Sequence, residues 1–280
     1  MVQFTTIVAM VGVPMLVMAS PLEKKATDAT TTYTHTSMPS DFTRPTSGPL
    51  YDPLSGLTCL GIATHGGADW FTTTLCALLG ANPAKVNASI HLDEGTYNNA
   101  ESVTFSVHDL DGKANPVPVS FLNGGGAGIV NSGSSAWFAG GFRSAVVSTG
   151  GSGVVDGQLF QRVGSSDDKL VAAGEWGFKY LTGVDAEKED VAKDGNNWDD
   201  WMDKAYKNPV IILTNDKTTA KGLEPNQYYT VYLTKNEDKT ISLWQSTNPS
   251  DLLNVFIKVD SKELKENTRY LYHLKGWAAF

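Results

Sequence analysis

The chain has only two cysteines among its 280 residues, Cys59 and Cys76. That is too few for a disulfide-stapled scaffold or a cysteine-built zinc site. Basic side chains are also scarce: 22 lysines and arginines against 30 aspartates and glutamates leave a net charge of −8. Such a balance excludes nucleic acid and anionic membrane as the main partner. Long apolar runs are missing too. The stretch from Ile7 to Ala19, broken by Pro14, falls short of the ~20 residues that cross a bilayer, and no second one follows. What is present, 41% hydrophobic and 19% charged residues, is a globular composition with length for one or two domains.

Residues 1–19 carry no charged side chain and end in Val17-Met18-Ala19, the small-residue pattern that precedes a signal-peptidase cut. The usual basic residues at the start of such a signal are absent. We read 1–19 as a secretory signal and expect an extracellular protein without membrane attachment once it is removed. Residues 20–49 read as a flexible leader. From Thr27 to Pro49 threonine, serine, proline and aspartate dominate, so burial cannot offset the entropy of ordering, and the composition suits O-glycosylation. The folded domain is expected over Leu50–Phe280. Asn87-Ala88-Ser89 is a sequon for N-glycosylation. Outside the cell Cys59 and Cys76 either pair in one short disulfide or lie buried as free thiols, and the spacing leaves both open.

The stretch Asp69 to Gly80 predicts a helix. Asp69 suits its N-cap, Trp70, Phe71, Leu75, Leu78 and Leu79 mark its apolar face, and Gly80 suits its stop before the Asn82-Pro83 break. Alternation from Ser102 to Val107 predicts a strand with a hairpin partner over Val117 to Leu122, joined through the turn Asp109 to Gly112. Gly124 to Gly133 reads as loop. Trp137 to Val147 reads as a second helix, weakened by Gly140 and Gly141 at ~1 kcal/mol each. Later come a short helix over Trp198 to Tyr206 and five strand-like runs: Pro209 to Thr214, Tyr228 to Thr234, Ile241 to Trp244, Val255 to Val259 and Tyr270 to His273. A helical first half and an antiparallel, strand-rich second half without βαβ rhythm make an α+β protein.

The order of several short motifs narrows this further. Gly67-Ala68-Asp69-Trp70-Phe71 opens the first helix and Asn82-Pro83 follows it. Gly95-Thr96-Tyr97, Pro116-Val117-Pro118-Val119, Trp137, Gly150-Gly151, Gly174-Glu175-Trp176 and Leu181-Thr182-Gly183 come next. Pro209-Val210-Ile211, Gly222-Leu223-Glu224-Pro225-Asn226-Gln227-Tyr228-Tyr229-Thr230-Val231 and Asn248-Pro249-Ser250-Asp251 complete the series. In this order, from Leu50 to about Lys258, the chain resembles the calpain-type branch of the papain-like cysteine proteases. The resemblance implies a papain-like catalytic-domain fold with a helical and a β subdomain.

It also shows where the chain departs from the family. Asp69 stands where the family has its nucleophilic cysteine, Gln227 where it has histidine, and Ala63 where a glutamine helps form the oxyanion hole. Asn248 keeps the imidazole-orienting asparagine, but Ser250 and Asp251 replace the tryptophan and glycine after it. Amide cleavage on this fold needs a thiolate beside an imidazole. A carboxylate, with its ordinary pKa near ~3.9, is ionised but a poor amide nucleophile. Glutamine has no proton to exchange at neutral pH. Loss of such a unit costs ~10⁶ in kcat. The expectation is a secreted calpain-like pseudoprotease, with Asp69, Trp70, Gln227, Asn248 and His65 as candidate binding residues. An unidentified protein or a small polar ligand would occupy the former cleft.

Two other functions remain in view. A hydrolase could be rebuilt around His65 with Asp69, or around Cys76 with a distant histidine. A secreted effector or carbohydrate binder could use some of the seven tryptophans and ten tyrosines, although core packing explains aromatics more simply. His91, His108 and His273 are scattered, and no pair has metal-ligand spacing. The run Gly124-Gly125-Gly126-Ala127-Gly128 lacks the Lys-Ser/Thr ending of a phosphate loop. No cofactor is expected. Calcium enters only through the family resemblance, and the acids of Trp198 to Asp203 fall on different helix faces.

Overall fold

A computed structural model describes residues 45–59, 62–64, 69–123, 129–131, 136–149, 166–194, 197–235, 239–245 and 256–275. The expected signal 1–19, the expected leader as far as Arg44, and the glycine run 124–128 lie outside them. The helix α1 (Asp69–Ala81) forms where the apolar spacing predicts it. Trp70, Phe71, Leu75, Leu78 and Leu79 are buried, and so are Thr72, Thr73 and Thr74, so the helix is enclosed on every side rather than amphipathic. Threonine tolerates this because its hydroxyl can bond its own helix: Thr74 Oγ1 donates to the Trp70 carbonyl at 2.8 Å. Gly80 is not the stop. The helix runs on to Ala81, and Asn82 caps a new short helix, α2 (Pro83–Ala88), its side chain accepting from the Lys85 amide with Pro83 in the first turn.

The first half is not mainly helical. A three-stranded antiparallel sheet, β2 (Ile90–Thr96), β3 (Asn99–His108) and β4 (Ala114–Ser120), contains the predicted hairpin, with Phe105 opposite Val117. The helix α3 (Phe138–Ser148) lies on this sheet. Gly141 belongs to that contact: a Cβ there would sit 2.3 Å from Phe105 Cζ, so the glycine admits the ring instead of merely weakening the helix. The predicted loop 124–133 contains a short strand, β5 (Ile129–Asn131), which pairs antiparallel with β1 (Ile62–Thr64). Gly48 exchanges backbone bonds with Ala100, and Leu50, wholly buried, bonds Tyr97 and Phe138. The last residues of the expected leader thus engage β3.

The second half holds more structure than the five predicted strands. The helix α4 (Asp167–Thr182) starts at Ser166, whose side chain accepts from the Lys169 amide, and ends at Gly183 in the left-handed region (φ 72°). It packs against α1, with Thr74 so close to Gly177 that a Cβ would meet its Oγ1 at 2.3 Å. After β6 (Ala186–Asp190) come two short helices, α5 (Val191–Asp194) and α6 (Trp198–Lys204). The strands β7 (Val210–Thr214), β8 (Tyr228–Lys235), β9 (Thr240–Trp244) and β10 (Phe256–Asp260) follow. The helix α7 (Ser261–Asn267) and strand β11 (Thr268–Leu274) close the order. One antiparallel sheet takes all six in the order β10-β9-β8-β7-β11-β6. Both its faces are covered. Ile211 and Leu213 join the core of α1, α3 and α4, whereas Val210 and Ile212 join a second core with Trp198, Met202 and Leu264. The architecture is α+β with antiparallel sheets.

Candidate functional site

Asp69 opens α1, and Gln227 immediately precedes β8. Two contacts fix how helix and strand lie together. Thr230 Oγ1 donates to the Thr73 carbonyl at 2.7 Å, and further along both elements the Tyr232 ring covers Gly80, 3.4 Å from where its Cβ would be. Helix and strand therefore run in the same sense, and their starts share one end. Asp69 lies about 6 Å along the helix before Thr73, and Gln227 about 10 Å along the strand before Thr230.

Gln227 is held by its backbone. Its amide donates to Thr214 Oγ1 at 2.9 Å, and its carbonyl accepts from the Thr214 amide at 3.0 Å. This ties the entry of β8 to the exit of β7, while the Gln227 side chain is half-buried. The pairing of Trp244 with Thr230 brings the exit of β9 to the same end. Asn248 follows that exit and lies outside the described residues, as does His65. Ala63 sits on β1 opposite Val130, in the segment leading to α1.

Trp70, a candidate binding residue, sits on the face of α1 that the sequence marks as apolar. It is fully buried, edge-on to Phe71 with ring centroids 5.9 Å apart, and packs α1 into the core. Cys59 and Cys76 are joined in a disulfide, with Cα atoms 5.6 Å apart, and both are buried. The alternative of two free thiols is therefore not realised, and neither of the chain's two cysteines offers a thiol. The rebuilt site around Cys76 loses its nucleophile for the same reason. Asn87 is exposed in the last turn of α2.

The described histidines lie apart from the Asp69–Gln227 end. His91 is exposed on β2, 3.9 Å from Asp93. At the end of β3 burial pushes the His108 imidazole below its ordinary value, against smaller opposing effects of the Tyr180 backbone and Asp109. His273 is buried on the sheet face turned away from α1, stacked on Trp201 with centroids 3.6 Å apart. Its Nε2 is 3.1 Å from Glu189 Oε1, which also accepts from Trp201 Nε1 at 2.6 Å. Only pairing β6 with β11 reveals this cluster, because Glu189 and His273 are far apart in sequence.

A cavity of about 420 Å³ is lined by Glu175, Trp176 and Lys179 of α4 together with Asp185 and Lys275. It opens where β6 begins and β11 ends. Successive antiparallel pairings place that at the opposite end of the sheet from Gln227. The neighbouring Lys179 ammonium, at 2.7 Å, holds the Asp185 carboxyl below its usual range. Among the described residues no three His, Cys, Asp or Glu side chains gather as metal ligands, and no helix is long and apolar enough to cross a membrane. No family model matches the chain, and no curated protein matches it.

Proposed function

We propose that this is a secreted protein on a papain-like framework of calpain type that has lost peptidase chemistry and acts by binding. One observation carries the proposal: the chain's two cysteines are consumed in one buried disulfide, while a carboxylate residue and a carboxamide residue open α1 and β8 at a common end. Thiol chemistry then has no nucleophile, and the Asp69–Gln227 end has no imidazole among the described residues. A carboxylate residue and a carboxamide residue at one end of the sheet are suited to a small polar or cationic group, on a ligand or on a partner protein. The sense of α1 against β8 and the return of β9 support the papain-like layout, since that fold needs nucleophile, base and orienting residue at one end.

The purified mature chain should not cleave casein, with or without thiol-directed inhibitors. Inhibitor-sensitive cleavage that survives Asp69→Ala overturns the proposal.

A further inference from the structure

We propose that Asn87 carries an N-linked glycan whose first N-acetylglucosamine packs on the ring pair Tyr51–Tyr97. The inference rests on the secretory reading of residues 1–19 and not on the binding site. Asn87 is exposed at the end of α2 and begins Asn87-Ala88-Ser89. Its Oδ1 accepts from the Tyr51 hydroxyl at 2.8 Å, and among the described residues its Nδ2 makes no hydrogen bond. The carboxamide is thus oriented through its oxygen, and among the described residues the nitrogen that takes the sugar is left unengaged.

Beside it, Tyr51 stacks on Tyr97 with centroids 5.3 Å apart and planes 19° from parallel. Phe138 meets the Tyr51 ring edge-on at 6.0 Å. Tyr97 remains 48% exposed, one of the few large apolar side chains open to solvent among the described residues. Burial first, and Tyr97 second, raise the Tyr51 phenol, so it remains a hydroxyl donor across neutral pH. An aromatic platform beside a modifiable amide offers the apolar face of a pyranose a surface to cover.

The transfer is balanced with a lipid-pyrophosphate-linked oligosaccharide as co-reactant. The sugar C1–O bond to pyrophosphate breaks, C1 bonds to Nδ2, Nδ2 gives up one proton, and the lipid pyrophosphate leaves with the electron pair. Oδ1 is untouched, so the Tyr51 bond persists.

The test expresses the full chain in a eukaryotic secretory host, with its own residues 1–19 and separately with the host's signal in their place. The mass should fall on peptide-N-glycosidase treatment, and Ser89→Ala should abolish that fall. Trimming to a single sugar should keep a Tm about 2–3 °C above that of unglycosylated protein from a bacterial periplasm, and Tyr97→Ala should close the gap. No glycan in either form, or a gap indifferent to Tyr97, overturns the proposal. A glycan only with the host signal supports the site and refutes the secretory reading.

Discussion

Reducing the Cys59–Cys76 disulfide should destabilise the protein strongly without creating a peptidase. The bridge closes a loop of 17 residues' separation, from the segment before β1 to the second turn of α1. Loop-closure entropy for that length amounts to about 3 kcal/mol at 25 °C. For a domain of this size each kcal/mol moves Tm by roughly 2–4 °C, so the loss should be about 6–12 °C. Thermal melts followed by circular dichroism, with and without dithiothreitol, measure it. Cys59→Ala with Cys76→Ala should reproduce it, with a small further loss because both sulfurs are buried. Casein turnover should stay absent in the reduced protein. Cys76 lies seven residues, about 10 Å of helix, beyond Asp69, and His273 lies on the far face of the sheet. A Tm change below about 2 °C would refute the entropic reasoning. Thiol-dependent cleavage on reduction would refute the functional one.

Other expectations follow from the same geometry. Asp69→Cys combined with Gln227→His should yield a thiol alkylated by iodoacetamide at pH 6 at least about tenfold faster than Asp69→Cys alone; equal rates would mean the two positions do not meet. Gly141→Ala should cost about 1–3 kcal/mol in chemical denaturation because its methyl strikes Phe105, and Phe105→Leu should recover part of that loss. Burial holds the His108 imidazole below 6.5, so in mild acid the folded protein binds fewer protons than the unfolded chain. Its contribution is therefore intact above about pH 6.5 and falls as the pH drops towards the lowered value. His108→Gln should flatten the slope of Tm against pH in that window, and an unchanged slope would show that another group sets it.

Much of the fold was legible where apolar pattern and backbone state agree. Alternation over Ser102–Val107 and dense β-branched and aromatic runs at Val210, Tyr228 and Ile241 located strands that bury one face or both. The misses share a cause: their sequences carry little apolar signal or carry it ambiguously. β6 is Ala-Glu-Lys-Glu-Asp, an edge strand made visible only by its pairing with β11. α7 is almost wholly polar and is started by Asp260, whose side chain accepts from the Lys262 and Glu263 amides. In α4, Gly174 and Gly177 resemble helix breakers, yet they sit where Tyr272 and Thr74 press against the helix. Ser166 and Gly183 were the caps that could have found it. At the candidate site, Asp69 as a helix start was readable from its neighbours. Trp70 read both as part of the apolar face of the helix and as a candidate binding residue, and its complete burial fits the first. That Gln227 enters on the same side as Asp69 depends on the direction of β8 against α1, which no local pattern encodes.

The strap from Gly48 to Leu50 has a bearing on susceptibility to proteolysis. A processing protease must draw several residues of substrate into its groove in extended form. Here the peptide groups of Gly48 and Leu50 are already committed to Ala100, Tyr97 and Phe138, and that of Pro49 to Trp137. Proteolysis advancing from the amino-terminal side should accordingly stall short of Gly48, at the point where the body stops yielding backbone and whatever the preference of the enzyme that cuts.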